Sequence, residues 1–326
     1  QNTPEFQKQL HDICAEANPD KSVKIHAGSF NSINPGRIDA QMIYHTIAQF
    51  RSVSHGLVTE WQKLATVVPS GNGGHVFGAL TARFLSGVPG PTIISCNAND
   101  FFEKLINHGI LEMPKSDSAV HQPSVSMIIE YPNNMERLFR LAFGPERTSE
   151  IMSDFSSWKT VQLSSDEQSM LRFWLNLHAV RVTGEEELIA MREYFRETGK
   201  LICPHTANAL CAWMKIESKF PHTHALICET ASAWKFLAST AAALSEAENI
   251  WQEYESLRSF ESSYEWVQKL LQKIEMWFQS HGKTFNIPDY IKPWLWPEIQ
   301  HNPKLSCRDF GEKTLEIVRE WMLTEK

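Results

Sequence analysis

The sequence has neither a long apolar run nor a long basic one. No uncharged stretch approaches the roughly 20 residues that a helix needs to span a bilayer, and no basic segment followed by an apolar one opens the chain. The formal net charge is -7, whereas a nucleic-acid partner requires a basic surface. These absences predict a soluble globular protein without a membrane or nucleic-acid partner.

Cysteine is scarce and has no recognisable ligand spacing. The six cysteines form no CxxC pair and no zinc-binding pattern: Cys14, Cys96, Cys203, Cys211, Cys228 and Cys307. Several lie in apolar runs, so we interpret them as reduced, buried thiols. Reduced thiols are typical of the cytoplasm, and this interpretation therefore predicts a cytoplasmic protein without a bound metal.

Apolar residues are plentiful and follow a repeated order of strand, loop and helix. The 326 residues are 42% hydrophobic, which allows one large domain or two. Residues 23–27, 64–68 and 91–96 are short apolar runs typical of strands, and each leads through a polar loop into a segment with helical spacing. This order predicts an α/β fold, with a parallel sheet flanked by helices and ligands bound at the carboxyl ends of its strands.

Three glycines mark one of these loops. Gly71, Gly73 and Gly74 lie between the strand at 64–68 and a helix at 76–84. In this order the backbone N–H groups of the loop point at one spot near the positive end of the helix dipole, which favours phosphate. The spacing matches neither GxxxxGK[ST] nor GxGxxG, so a purely structural turn remains the alternative.

Polar residues after two other predicted strands are candidates for the same site. Asn31, Ser32, Asn34 and Arg37 can hold a carboxylate or phosphate, although they are also ordinary cap and turn residues. Thr230 follows another predicted strand. Its hydroxyl is either a helix cap or a hydrogen-bond partner for a bound ring nitrogen.

The pattern divides the chain into four segments. Residues 1–109 form an α/β segment with the glycine loop, whereas residues 110–200 lack the alternation and are predicted to be a helical insertion. Residues 201–244 return to the α/β pattern. Residues 245–326 are predicted to be a helical, tryptophan-rich extension, in which a stripe that includes Trp277 faces either the core or a protein partner.

Six segments together carry a family resemblance. In chain order they are FNSINPGRI (30–38), VVPSGNGG (67–74), CNAND (96–100), SM with PNNMERL (126–127 and 132–138), PHTA (204–207) and TASAWKF (230–236). They resemble, in the same order, the NSIN-x-x-R, V-P-S-G-N-F-G, T-N-x-N-D, S-M-D with N-x-x-R-L, P-H-x-A and T-A-x-P-A-K-F motifs of the threonine synthases. These are pyridoxal-phosphate (PLP) enzymes of fold type II, related in fold to the tryptophan synthase β-subunit.

The resemblance implies a role for each candidate residue. The backbone of the glycine loop would hold the phosphate of PLP: Gly71, Asn72, Gly73, Gly74 and His75. Thr230 would face the pyridine nitrogen. The polar residues of the first motif would bind the substrate: Asn31, Ser32, Asn34 and Arg37. The implied activity is that of a lyase of threonine biosynthesis, which converts O-phosphohomoserine and water to threonine and phosphate.

The chain also departs from the family. It has no Phe-Lys-Asp triplet, which carries the Schiff-base lysine of the family, and no S-G-D-T-G loop, so no catalytic residue is assigned. Gly73 replaces an aromatic residue of the phosphate loop, and Ile128 replaces the Asp of S-M-D.

Two hypotheses follow from these departures. The first is that this is the carboxyl-terminal portion of a threonine-synthase-like enzyme, with the lysine-bearing portion missing from this chain. The second is a catalytically silent relative that keeps the anion loop and binds a protein partner through its C-terminal helices. A nucleotide-binding protein on the same sheet is a weaker third hypothesis, because no acidic residue suits a ribose at the required distance.

Overall fold

Strands and helices alternate along the part of the chain that the structure describes. The computed structural model covers residues 12, 32, 34–59, 63–113, 122–129, 131–157, 159–258 and 264–287. In chain order the elements are α1 (Pro35–Ser54), β1 (Lys63–Pro69), α2 (Gly74–Ser86), β2 (Thr92–Cys96), α3 (Phe101–His108), β3 (Ile110–Leu111), α4 (Met135–Ser156), β4 (Val161–Gln162), α5 (Ser165–Ser169), β5 (Leu177–Arg181), α6 (Gly184–Thr198), α7 (Pro204–Ile216), β6 (Thr223–Ile227), α8 (Leu237–Leu244), α9 (Ile250–Arg258) and α10 (Tyr264–Ser280).

A four-stranded parallel sheet organises the fold. Its strand order is β5-β2-β1-β6, and every neighbouring pair is parallel. In the central strands Val67 pairs with Ile93 on one side and with Ile227 on the other. Residues 64–69 and all of β2 are buried, which explains why these strands are continuous apolar runs and not alternating ones. The predicted parallel sheet flanked by helices is confirmed.

Helices cover both faces of this sheet. Successive side chains of a strand point to opposite faces, so Val67 and Val68 enter different cores. Val67 packs in a cluster with Ala209 and Ala212 of α7. Val68 belongs to a larger cluster that includes Leu80 of α2 and residues of α3 and α4. The carboxyl edge of the sheet therefore lies between two packed layers.

Residues 110–200 differ from the predicted helical insertion at one point. β5 (Leu177–Arg181) lies within this segment and continues the main sheet by pairing with β2. Leu177 and Ala179 are buried while His178 and Val180 are half-buried, a short edge-strand pattern with little apolar sequence signal. A further short antiparallel pair, β3 with β4, lies in the same segment. Part of the predicted insertion is thus a strand of the core sheet.

The helices after β6 form a second apolar cluster. Every residue of α8 is buried, and Leu270 and Ile274 of α10 pack in the same cluster. Trp277 is half-buried, with its ring 5.0 Å from that of Phe195. The stripe on α10 is therefore a core-facing seam at these positions.

Several other predictions lie outside the described residues. They concern the strand at 23–27, the side chain of Cys14 and everything after residue 287. Within the described ranges, no helix combines the length and the apolarity needed to cross a membrane.

The Arg83 guanidinium connects three segments of the α/β core, and its removal is expected to be costly. Its Nη1 and Nη2 atoms donate to the carbonyl oxygens of Gly90 and Leu175, each at 2.6 Å. Arg83→Met keeps the aliphatic stem but leaves both carbonyls without this donor, so we expect the free energy of unfolding to fall by about 1.5–3 kcal/mol. Urea unfolding followed by tryptophan fluorescence measures the loss. The control is Arg51→Met, at an exposed position in the last turn of α1; equal losses in the two variants would contradict the assignment.

Candidate functional site

The glycine loop is closed by its own residues and covered by an aromatic ring. The Gly73 N–H donates to the Ser70 hydroxyl oxygen at 3.1 Å. Gly73 has a φ of 83°, and a Cβ there would lie 2.7 Å from Cζ of Phe102. The Phe102 ring thus occupies the space that an aromatic side chain at position 73 would need. The positive φ and this packing together require glycine at position 73.

The other two loop glycines allow close approach to neighbouring segments. A Cβ on Gly71 would lie 2.4 Å from the backbone oxygen of Met127, and one on Gly74 would lie 2.6 Å from Cβ of Ser32. Real Cβ atoms do not approach other atoms this closely. Both positions therefore require glycine for packing against the protein itself.

Three polar side chains connect the loop to its surroundings. The Nδ2 atoms of Asn72 and Asn134 both donate to the Ser32 hydroxyl oxygen, at 3.0 and 2.8 Å. The Asn134 backbone N–H also donates to the Asn72 carbonyl at 3.2 Å. The side-chain oxygen of Asn72 is buried and has no hydrogen-bond donor among the described residues.

The start of α2 supplies the donors that an anion requires. The helix begins at Gly74, its first turn contains no acidic residue, and the preceding Gly73 has no side chain to cap it. The first N–H groups of a helix, here those of Gly74, His75 and Val76, have no acceptor within it. Together with the helix dipole, they form a donor set suited to a phosphate group.

The structure describes three of the four predicted substrate residues and gives them different surroundings. Ser32 touches the loop, as described. The side-chain oxygen of Asn34 accepts from the Gly36 N–H at 2.9 Å and caps α1. Arg37 is exposed in the first turn of α1, and its charge is close enough to help lower the pKa of His75. Asn31 lies outside the described residues.

Thr230 lies at the same edge of the sheet as the loop. The Cys228 N–H donates to the Val67 carbonyl at 3.1 Å, which aligns the carboxyl ends of β6 and β1. Thr230, two residues further on, is exposed and lines a cavity of about 430 Å³ together with Leu201, Glu229 and Trp234. Residues of the glycine loop do not line this cavity.

A network of buried polar side chains supports the segment that contacts the glycine loop. No pattern in the sequence predicts this network. Ser124 donates to the Glu187 carboxyl from its backbone N–H at 3.1 Å and from its hydroxyl at 2.6 Å. Asn208 donates to the same carboxyl at 2.7 Å, and Asn97 donates to Ser124. Glu187 is fully buried. Desolvation raises the pKa of Glu187 to about 8, although these hydrogen bonds act in the opposite direction.

The same network explains the CNAND segment in structural terms. Asn99 donates from Nδ2 to the carbonyls of Met127 and Ile129, at 3.0 and 2.9 Å. Met127 is the residue on which Gly71 packs. Amides after β2 therefore hold the segment at 122–129 that in turn supports the glycine loop. Glu187 has no such signal, because a glutamate in the first turn of a helix is usually a solvent-exposed residue.

Two histidines and one cysteine also meet beside the loop. The side chains of His45, His75 and Cys228 each offer one atom that can bind a metal ion, and these atoms lie within 4.8 Å of one another. Burial lowers the pKa of His45 to about 4 and, with help from His45 and Arg37, that of His75 to about 3. Both imidazoles are therefore neutral near pH 7. No spacing motif in the sequence indicates this group. His45 and His75 are 30 residues apart, and His75 and Cys228 are 153 residues apart, by subtraction of the residue numbers.

Sequence comparison assigns the chain to a group of relatives. No family model matches it. It is 28% identical over 218 residues to a human protein named threonine synthase-like 2, an alignment that covers 66% of this chain and 44% of that protein. It is 27% identical over 210 residues to threonine synthase of Saccharomyces cerevisiae, which covers 60% of this chain and 40% of that protein. The chain is a homologue of the threonine synthases. It spans less than half the length of these curated relatives.

Solved structures share the threonine synthase fold. The crystal structure of the yeast enzyme matches with a TM-score of 0.60 at 24% identity, over 74% of this chain and 50% of that chain. The PLP-bound threonine synthase from Brucella melitensis matches with a TM-score of 0.58 at 24% identity, over 73% and 48%. The family resemblance and the fold-type II architecture inferred from the six segments are therefore confirmed.

Replacing the buried carboxyl is expected to change how stability depends on pH. The pKa of Glu187 is raised from 4.5 to about 8 in the folded protein, so the folded state binds more protons than the unfolded state between these values. Wild-type stability therefore loses this contribution as the pH rises from about 5 to about 8. Glu187→Gln has no such proton, and its free energy of unfolding should vary less over this range.

The measurement is urea unfolding of both proteins at several pH values. The variant should also be less stable at about pH 5, by about 1–3 kcal/mol, because its amide nitrogen meets the Ser124 N–H donor. Glu185→Gln, at an exposed position on the same helix, is the control and should keep the wild-type slope. If the free energy of unfolding varied with pH in the same way for wild type and Glu187→Gln, the Glu187 carboxyl would be charged over the whole pH range tested, which would contradict the prediction.

Proposed function

We propose that this chain provides the phosphate-binding portion of a PLP site in a threonine-synthase-like lyase. The reaction would convert O-phosphohomoserine and water to threonine and phosphate, with the Schiff-base lysine contributed from outside these 326 residues. The observation that carries the proposal is the glycine loop at the start of α2, beside the strand that leads to Thr230. The relation to proteins named threonine synthase supports the choice of reaction.

The residues of the chain suit distinct tasks in such a site. When bound, PLP supplies an electron sink for carbanion chemistry. The N–H groups of Gly74 and His75, in the first turn of α2, would hold its phosphate. The Thr230 hydroxyl would face the pyridine nitrogen. A hydroxyl at this position leaves the nitrogen neutral, because it provides no negative charge to stabilise a proton there.

Charge and hydrogen bonding also suit an anionic substrate. O-phosphohomoserine carries a phosphate and a carboxylate, and Arg37 is an exposed guanidinium close to the loop. Two amides donate hydrogen bonds to the Ser32 hydroxyl oxygen and fix its position. The hydroxyl hydrogen must then point away from these two donors, toward another acceptor. Arg37 and Ser32 would therefore orient the substrate, and the chain itself would supply no proton-transfer lysine.

A negative charge placed in the loop is expected to weaken phosphate binding. Asn72→Asp keeps the side-chain shape but places a carboxylate beside the proposed phosphate. Two unit charges about 5 Å apart at an effective dielectric constant of about 20 repel by about 3 kcal/mol, so we expect the affinity for PLP to fall at least tenfold. Equilibrium dialysis of PLP against the purified chain measures this change, with inorganic phosphate as the competitor.

Asn133→Asp is the matched control, since Asn133 is exposed and next to Asn134. It adds the same charge outside the loop and should bind PLP as the wild type does. Equal affinities for wild type and Asn72→Asp would contradict the phosphate assignment.

The position of the Schiff-base lysine can be tested directly. Borohydride treatment of the PLP-loaded full-length polypeptide, followed by peptide mass spectrometry, should find the cofactor attached to a lysine outside this sequence. That lysine is expected in a Phe-Lys-Asp triplet encoded upstream. Attachment to a lysine within this sequence, such as Lys235, would contradict the proposal.

The second candidate is a catalytically silent relative, which the absence of Phe-Lys-Asp and the presence of Ile128 favour. Such a protein would bind PLP or phosphate at the loop without turnover, and would use its C-terminal helices to bind a protein partner. A start codon immediately before Gln1 favours this candidate, whereas release of phosphate from O-phosphohomoserine by the chain rules it out.

A further inference from the structure

Three potential metal ligands converge where α1, α2 and β6 meet, and we name them the imidazole–thiol cluster: His45, His75 and Cys228. His45 lies in the third turn of α1, His75 in the first turn of α2, and Cys228 directly after β6. His45 is 1% exposed and Cys228 8% exposed, while His75 is half-buried. Their donor atoms lie within 4.8 Å of one another. The cluster is thus a compact set of two imidazoles and one thiol.

Nε2 of His75 has two hydrogen-bond partners, which is one more than this atom can bind strongly. Nε2 of His75 lies 2.9 Å from Nε2 of His45 and 2.7 Å from the hydroxyl of Tyr44. A neutral imidazole nitrogen carries either one hydrogen or one lone pair, so it can form one strong bond in its ring plane. Two partners at these distances therefore compete for the same position. A cation between the rings removes this competition, because each nitrogen then directs its lone pair at the ion.

The surroundings favour a soft ligand set over a carboxylate one. Within the cluster, the charges that act on His75 are those of the Arg37 guanidinium and the His45 imidazole. The Cys228 thiol acts on the neighbouring Tyr44. No carboxylate is among the groups found to act on these three side chains in the described residues. Two nitrogens and a sulfur are ligands that zinc prefers over calcium or magnesium.

We propose that His45, His75 and Cys228 bind a divalent transition-metal ion of the zinc type, with a water as the fourth ligand. On binding, the S–H bond of Cys228 breaks, its proton passes to solvent, and the thiolate electron pair forms the bond to the metal. No electron is transferred. The imidazoles bind as neutral ligands through Nε2.

The required movements are small. Metal–nitrogen bonds of about 2.0–2.1 Å and a metal–sulfur bond of about 2.3 Å place tetrahedral ligands roughly 3.3–3.6 Å apart. The two Nε2 atoms, now 2.9 Å apart, must separate by about 0.4 Å. The sulfur, which lies within 4.8 Å of both nitrogens, must approach by about 1.3 Å at most. Side-chain rotations within one rotamer well can supply such shifts.

The site goes beyond the proposed PLP chemistry and does not depend on it. PLP would use the backbone N–H of His75, whereas the ion uses the side chain of the same residue. The ion would connect α1 to the glycine loop and to the end of β6. Its expected contribution is therefore structural: it would hold in place three segments that surround the proposed cofactor site.

Titration of the purified full chain with Co²⁺ alone tests the site, because cobalt reports its geometry in the absorption spectrum. We expect one equivalent to bind, with the strong visible bands of tetrahedral cobalt and a thiolate charge-transfer band, and Zn²⁺ should displace both. Cys228→Ser should lose the charge-transfer band, and His45→Gln should lower the affinity at least tenfold.

Two matched controls separate this site from adventitious binding. Cys211→Ser removes another half-buried thiol, and His178→Gln removes another half-buried imidazole with a lowered pKa. Both should bind cobalt as the wild type does. No binding to the wild type, or binding that is equal in all four variants, would overturn the proposal.

X-ray absorption of the zinc-loaded wild-type protein gives the ligand count without any substitution, so the test survives a variant that does not fold. One sulfur and two imidazoles are expected. A shell without sulfur would overturn the assignment. Neither measurement involves PLP or turnover. A negative result for metal binding therefore does not contradict the proposed function, and a negative result for PLP binding does not contradict the metal site.

Discussion

The hydrogen bond from the Cys228 N–H to the Val67 carbonyl, 3.1 Å long, closes the register between β6 and β1 at their carboxyl ends. Parallel pairing places both strand ends at one edge of the sheet, and a shift by one residue would turn each side chain to the other face. The glycine loop follows β1 directly, while Cys228 and Thr230 follow β6. The candidate cofactor site and the imidazole–thiol cluster both depend on this alignment.

Uncharged polar groups, more than ion pairs, hold the surroundings of the loop. Amides of Asn72, Asn97, Asn99 and Asn134 donate to hydroxyl or carbonyl oxygens, all in buried or half-buried positions. Buried polar groups are costly unless they are satisfied, so such a network specifies one arrangement of the segments it joins. Glu187 belongs to this network: its carboxyl receives three donated hydrogen bonds, and burial raises its pKa to about 8, so it too is mostly uncharged near pH 7. The loop is thereby held in place without a nearby charge that would repel a phosphate.

The relation to the threonine synthases explains the order of the motifs, whereas the local packing explains the departures. Gly73 stands where the family has an aromatic residue, and the Phe102 ring fills the space beside it. The Phe102 ring, which reaches the loop from α3, therefore leaves no space for a side chain at position 73. Function resides in the site and not in the fold, so the missing lysine matters more for activity than this exchange.

The sequence by itself determined the parallel sheet, the glycine loop and the polar residues at the strand ends, because these are local patterns with a period or a turn signal. Only the tertiary structure decided the place of β5, whose alternation is too short and too polar to distinguish from the end of a helix. It also brought Glu187 under the loop and His45, His75 and Cys228 into one cluster. These side chains come from separate elements. They are brought together by the packing of two layers of helices on one sheet, and no residue spacing along the chain indicates such long-range contacts.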